Sequence, residues 1–111
     1  MTPLNILIAL IALGAGTAVH LAAAGRLRRN GILGIRTAST RRDDTTWVRG
    51  HRAAVVPTWL TSCIVVGLSA ASITWEGAAV VLTSIAVVLL LAGAFIGTVL
   101  ANRAARSGSR P

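Results

Sequence analysis

The chain has 111 residues, 54% of them hydrophobic and 13% charged, with a mean hydropathy of +0.73 and a formal net charge of +8. A disordered chain needs low hydrophobicity, and an ordinary soluble domain carries about 25% charged residues, so both classes are excluded or strongly disfavoured. Eleven basic residues, all Arg, and three acids cannot cover the surface of a soluble domain of this length, so where the charge sits becomes a question of topology.

Three stretches are long and apolar enough to cross a bilayer core of about 30 Å as helices: residues 4–25, 53–74 and 78–101. Continuous rather than alternating hydrophobicity excludes a β-barrel. The predicted fold is all-α, a three-span transmembrane bundle occupying residues 1–103 as one domain, with a basic tail at 104–111 expected to be disordered beyond one more helical turn.

In the first span the only non-apolar residues are Asn5, Thr17 and His20. The five residues ahead of its core carry no basic side chain and an Arg block follows it, the reverse of a signal peptide, so the span is expected to be retained. His20 lies about 9 Å along a helix from Arg26. It is read as interfacial, with a functional role as an ionisable intramembrane group the rival reading. Gly14 and Ala18 form one small-residue strip and Ala12 and Gly16 an adjacent one, both candidate helix-packing faces.

The segment 26–52 follows, carrying eight Arg, Asp43 and Asp44. Asn30-Gly31 reads as a turn and as the C-cap of the first helix. Ile32, Leu33 and Ile35 form an apolar patch placed at the headgroup boundary or the bundle end. Ser39 or Thr40 is a good N-cap, with Asp43 and Asp44 in the first turn, where carboxylates suit the helix dipole. Trp47 and His51, spaced i, i+4, share a face. A short interfacial helix from about residue 41, bending at Gly50 into the second span, is expected. Trp47 is placed at the inner interface and Trp75 at the outer one, with Trp59 deeper.

The second span contains Pro57, a candidate kink, and Cys63. A lone cysteine excludes an internal disulfide and any multi-Cys metal site and is read as a small buried hydrophobe. The third span has Gly93 and Gly97 four residues apart, the other candidate packing face, joining helices within one chain or between chains. All Arg residues fall on one side of a three-span topology, because the hairpin at 75–77 holds only Glu76. The positive-inside rule puts the N-terminus outside and the 26–52 loop and C-terminus in the cytoplasm.

The pattern Asn30, Gly34-Ile35-Arg36-Thr37, Thr40, Asp44, Trp47 and His51-Arg52, set between one hydrophobic span and a following pair, resembles the SdpI-type family of bacterial integral membrane proteins over about residues 26–102. The resemblance implies a small multi-span protein of the bacterial inner membrane. The namesake type protects a producer cell from a secreted membrane-active peptide toxin, and signals its presence by drawing a transcriptional repressor to the membrane. As one assembly, Arg36 would pair with Asp43 or Asp44, Gly34 would let the backbone pass closely under Trp47, and His51 and Arg52 would face the inner-leaflet surface.

The expected function is therefore non-enzymatic: an immunity or membrane-signalling role through the 26–52 loop, with no cofactor and no metal. Ser39, His51, Asp43 and Asp44 carry no spacing that fixes a catalytic geometry. Expected partners are anionic lipid headgroups at the loop and a peptide toxin or cytoplasmic regulator, with a homo-oligomer also open. Nucleic acid is not expected, since no aromatic platform accompanies the Arg residues. Two alternatives remain: a holin-like pore former, which the motif-bearing loop disfavours, and an accessory subunit of a larger membrane complex.

Overall fold

The computed structural model describes residues 2–107. Three helices run α1 (Thr2–Ala23), α2 (Asp44–Thr74) and α3 (Ala79–Ser107), with one 3₁₀ turn, Glu76–Ala78, in the hairpin between α2 and α3. All three are long and apolar enough to cross a membrane, and the bundle is elongated, 56 × 21 × 19 Å. Helix α2 is central: α1 and α3 each pack along it and barely touch one another. Large apolar side chains such as Leu10, Val80, Leu91 and Phe95 are exposed along the outer faces, where lipid is their solvent.

At 1.5 Å per residue, α1 is about 33 Å long and matches a bilayer core, whereas the 31 residues of α2 reach about 46 Å. The excess lies at its polar start, Asp44 to Arg52, ahead of the apolar run. The short interfacial helix expected there is instead the first turns of α2. Helix α2 is unbroken at Gly50, whose missing side chain serves packing. A Cβ at Gly50 would lie 3.0 Å from the Ala101 carbonyl oxygen of α3, so helix continuity and close approach are achieved together. The helix also runs through Pro57 without a break.

Helix starts and stops differ from the expected ones. Helix α1 ends not at Asn30-Gly31 but at Gly25, whose φ of +78° suits a residue without a Cβ. The amide of Arg26 donates to Leu21 O at 2.9 Å and that of Gly25 to Ala22 O at 3.2 Å, the paired bonds of a Schellman stop. The N-cap of α2 is neither Ser39 nor Thr40 but Asp43. Its carboxylate accepts from the Thr46 amide while the Thr46 hydroxyl accepts from the Asp43 amide, a reciprocal box that satisfies two orphan donors. Ser39 and Thr40 sit too far upstream to reach those amides. At the other end the one further helical turn expected of the tail is present: α3 runs on through Ser107, with Ala105 buried and its carbonyl accepting from Arg42 at 3.5 Å. Residues 108–111 lie outside the described residues.

Helix contacts are made by small residues, as close approach in lipid requires. Gly93 faces Thr61, and a Cβ there would overlap the threonine side chain. Gly97 follows, 3.4 Å from Thr58 Oγ1 measured from an ideal Cβ. The Gly93–Gly97 face therefore joins α3 to α2 within one chain. On α1 the strip in contact is Ala12 and Gly16, not Gly14 and Ala18. Ala12 is fully buried and its carbonyl accepts from Ser62 at 2.7 Å, while Gly16 admits the Trp59 ring, 3.0 Å from an ideal Cβ. Gly14 has nothing within 4 Å of that position. Cys63 is exposed rather than buried, because the inward face of α2 is taken by its neighbours Ser62, Val65, Ser69 and Ser72.

One polar knot spans all three helices near the hairpin end. Asn5 Nδ2 donates to Ser72 Oγ at 3.2 Å, Thr83 Oγ1 donates to Asn5 Oδ1 at 3.2 Å, and the two hydroxyls are 2.9 Å apart. Asn5 is fully buried. A buried amide without partners would be costly in hydrocarbon, so the knot also fixes the register of the helices. Trp75, the C-cap residue of α2, is 65% exposed.

Candidate functional site

The segment 24–43 and the first turns of α2 fold into a compact cap over the basic end of the bundle. Its centre is the i, i+4 pair Trp47 and His51, with ring centroids 4.2 Å apart. Trp47 is not an interfacial anchor: it is 1% exposed, and its indole N–H donates to Leu27 O at 2.8 Å, tying the exit from α1 to α2. His51 is fully buried instead of facing the membrane surface. Its Nε2 accepts from the Ile35 amide at 2.8 Å, and its Nδ1 lies 2.7 Å from Trp47 O. Those partners require the neutral ring with the proton on Nδ1, and both nitrogens are engaged. His51 precedes the apolar run of α2 and so lies outside the membrane-crossing part. Burial pushes its pKa below the usual histidine value, against the raising effect of the Trp47 carbonyl.

Gly34 makes this arrangement possible. Its φ is +90°, and a Cβ would come within 2.8 Å of His51 Nε2 and 3.1 Å of the Trp47 ring. The expected close pass under Trp47 is present, with His51 as the tighter neighbour. The next residue, Ile35, packs on the cluster of Val19, Ala54 and Ala101. Ile32 and Leu33 point outward, 81% and 53% exposed, so the expected apolar patch is divided between core and surface.

Thr40, buried completely, holds the second half of the segment. Its hydroxyl donates to Ile35 O at 2.7 Å and accepts from the Thr37 amide at 3.0 Å, and its carbonyl accepts from Thr46 Oγ1 at 3.2 Å. Thr37 Oγ1 lies 2.9 Å from Asn102 Oδ1, a donor–acceptor pair that fastens the segment to α3. Asn102 was not singled out from the sequence; the available signal is its place as the polar residue that ends the third apolar run. Asn30 forms a local turn: its Oδ1 accepts from the Ile32 and Leu33 amides at 2.8 and 2.6 Å, and its Nδ2 donates to Arg28 O.

The ion pair expected of Arg36 is not formed. Arg29, not Arg36, pairs with Asp44 at 2.9 Å, and its Nη1 also donates to the carbonyls of Arg41 and Arg42. Arg42 lies 3.8 Å from Asp43. The amide of Thr46 holds the Asp43 carboxyl below its usual pKa despite some desolvation, with Arg42 adding to the effect. Arg36 is directed back on its own turn and donates to Gly31 O. The cause is local: Gly34 turns the chain back there, while Arg29 lies closer to the start of α2. Arg52 turns from the surface to the end of α1 and donates to Ala23 O at 3.3 Å, where helix carbonyls lack partners and a cation suits the dipole.

Residues 26–100 match the SdpI/YfhL protein family. The chain belongs to that family. No curated protein and no solved structure matches it. The matched region begins just after the end of α1 and takes in residues 26–43, α2 and α3 as far as Leu100, so it holds most of the network described above, with the partners Ala23, Asn102 and Ala105 lying outside it. Among the described residues, no group of three or more His, Cys, Asp or Glu lies together as a metal site would require.

Proposed function

We propose that this SdpI-family protein is a non-enzymatic binding protein of the bacterial inner membrane, acting in immunity to a membrane-active peptide or in signalling its presence. The observation that carries this reading is the construction of the cap. Trp47, His51 and Thr40 are buried and hold residues 24–43 in one shape, while Arg28, Arg36, Arg41, Ile32 and Leu33 stay on its outside. A fixed surface that presents cations beside apolar side chains suits a partner that is itself amphipathic and membrane-borne, and it suits anionic headgroups, worth about 1 kcal/mol per Arg near the surface. The engagement of both His51 nitrogens leaves that ring no free atom for a substrate, which supports binding over catalysis.

With every Arg at the cap end or the C-terminus, the positive-inside rule places both in the cytoplasm and the N-terminus outside. The experiment is expression in a bacterium killed by a membrane-active peptide. Survival should rise with the intact protein and fall back when the cap is undone by Trp47→Ala. Equal killing with and without the protein would overturn the immunity reading. A fluorescent fusion at the C-terminus should be bright, and a dark fusion beside an active periplasmic reporter would reverse the orientation.

A further inference from the structure

Because α1 and α3 meet α2 but scarcely each other, a groove of about 600 Å³ remains between them, roofed at the basic end by the cap. Gly14, Ala15 and Ala18 of α1 and Ala94 of α3 line its walls, and Ile35 and Arg36 lie at its top. This accounts for the Gly14–Ala18 strip, which has no packing role inside the bundle. The wall residues are small, and the position of a Cβ on Gly14 has no atom within 4 Å, so the space is left open by the fold itself. The groove follows α1 from Ile11 to Val19, about 12 Å at 1.5 Å per residue. It thus runs from within the apolar span up to the level of the first arginines.

Charge sets the chemistry of what fits. The chain has three acids: Asp44 is paired with Arg29, Asp43 with Arg42, and Glu76 is in the hairpin at the opposite end. Among the described residues, the exposed guanidinium of Arg36 therefore has no acid at the groove mouth; it donates to Gly31 O. An occupant that matches both parts has an alkyl chain for the small-residue slot and one anionic group for the arginine above it. We propose that this groove binds one anionic phospholipid, with an acyl chain along Gly14 to Ala18 and the phosphate at Arg36. The site depends on membrane placement, not on the toxin-related reading above, and either can fail without the other.

The test uses the full chain, purified and delipidated in detergent, titrated with phosphatidylglycerol or phosphatidylcholine of identical acyl chains and followed by native mass spectrometry. One phosphatidylglycerol per chain should be retained about fivefold more tightly than phosphatidylcholine, the equivalent of about 1 kcal/mol for one arginine. Arg36→Gln should remove that preference. Ala18→Leu, which fills the slot from α1, should abolish retention of both lipids, and Ala94→Leu does so from α3 if the first variant fails to fold. Excess inorganic phosphate should not displace the lipid. Equal retention of the two lipids, retention untouched by both slot-filling variants, or displacement by phosphate alone would each overturn the proposal. So would a dimer that forms without lipid and dissociates on Ala18→Leu, because the groove would then belong to a second copy.

Discussion

Replacing His51 with Leu removes the acceptor for the Ile35 amide while keeping an apolar side chain of similar reach. The bond lost is the 2.8 Å contact from Ile35 N to Nε2, inside a site where His51 has no exposed surface. A buried amide left unpaired costs about 1–3 kcal/mol, so local opening of the 32–37 segment should rise roughly five- to 150-fold. Hydrogen exchange of the Ile35 amide in detergent micelles reads that number directly. Acid provides a second arm. The folded-state pKa of His51 lies below the unfolded value of 6.5, so the unfolded chain takes up its proton first. The stabilisation tied to the neutral ring is complete above about 6.5 and is lost as pH falls from there through the lower folded value. The wild-type protein should lose cap protection on acidification in that window, and His51→Leu should lose much less. Unchanged exchange at Ile35 in the variant, or parallel pH profiles for the two proteins, would refute the assignment of His51 as the fastener.

Three further substitutions test other parts of the fold. Gly34→Ala should destabilise the cap, by about 1–2 kcal/mol for the left-handed backbone alone and more for the contact with His51, read as a lower thermal midpoint by near-UV circular dichroism of Trp47; an unchanged midpoint counts against the φ of +90°. Gly93→Val should cost about 1–3 kcal/mol by forcing α3 off Thr61, whereas Gly14→Ala should stay within about 0.5 kcal/mol; similar effects from both in a chemical unfolding series would mean the wrong strip has been assigned to helix contact. Asn5→Leu should weaken the three-helix knot by about 0.6–1.7 kcal/mol, the range for interhelical hydrogen bonds in membranes, with Ser72 and Thr83 still bonded to each other; a stabilised protein would show that the knot serves something other than stability.

The three spans were legible because continuous apolarity in lipid admits little but a helix. The helix ends were not, because several candidates of the right residue type compete. Ser39, Thr40 and Asp43 are all acceptable caps, and only Asp43 has Thr46 placed to complete the reciprocal box. Asn30 and Gly25 both suit a helix stop, and the earlier one acts because the chain must turn at Ala24 for Trp47 to reach Leu27 O. The Gly14 strip and the Gly16 strip are indistinguishable as patterns. What separates them is the Trp59 ring facing one and empty space facing the other, a fact about three dimensions. Asn5 was visible as a polar interruption, but its partners are 67 and 78 positions away in sequence.

The family signature, once folded, is mostly a set of mutual contacts. Gly34 lies against His51 and Trp47, His51 holds Ile35, Thr40 holds Ile35 and Thr37, and Arg52 closes α1. These residues were legible as a pattern, but their roles were not, because short polar and aromatic side chains at such spacings fit capping, surface and catalytic readings equally well. Their geometry resolves the choice: Thr40, Trp47 and His51 are buried, with Gly34 and Ile35 half-buried against them, and these set the shape of the surface, while Arg36, Asp44 and Arg52 remain exposed on it. A partner of the cap therefore meets those three charges together with side chains outside the signature, Arg28, Ile32, Leu33 and Arg41. Of the signature residues, Arg36 and Arg52 carry exposed charges with no ion pair among the described residues, and Arg36 is the one that lines the groove. That places the test of partner specificity on these exposed residues, and the test of lipid binding on Arg36.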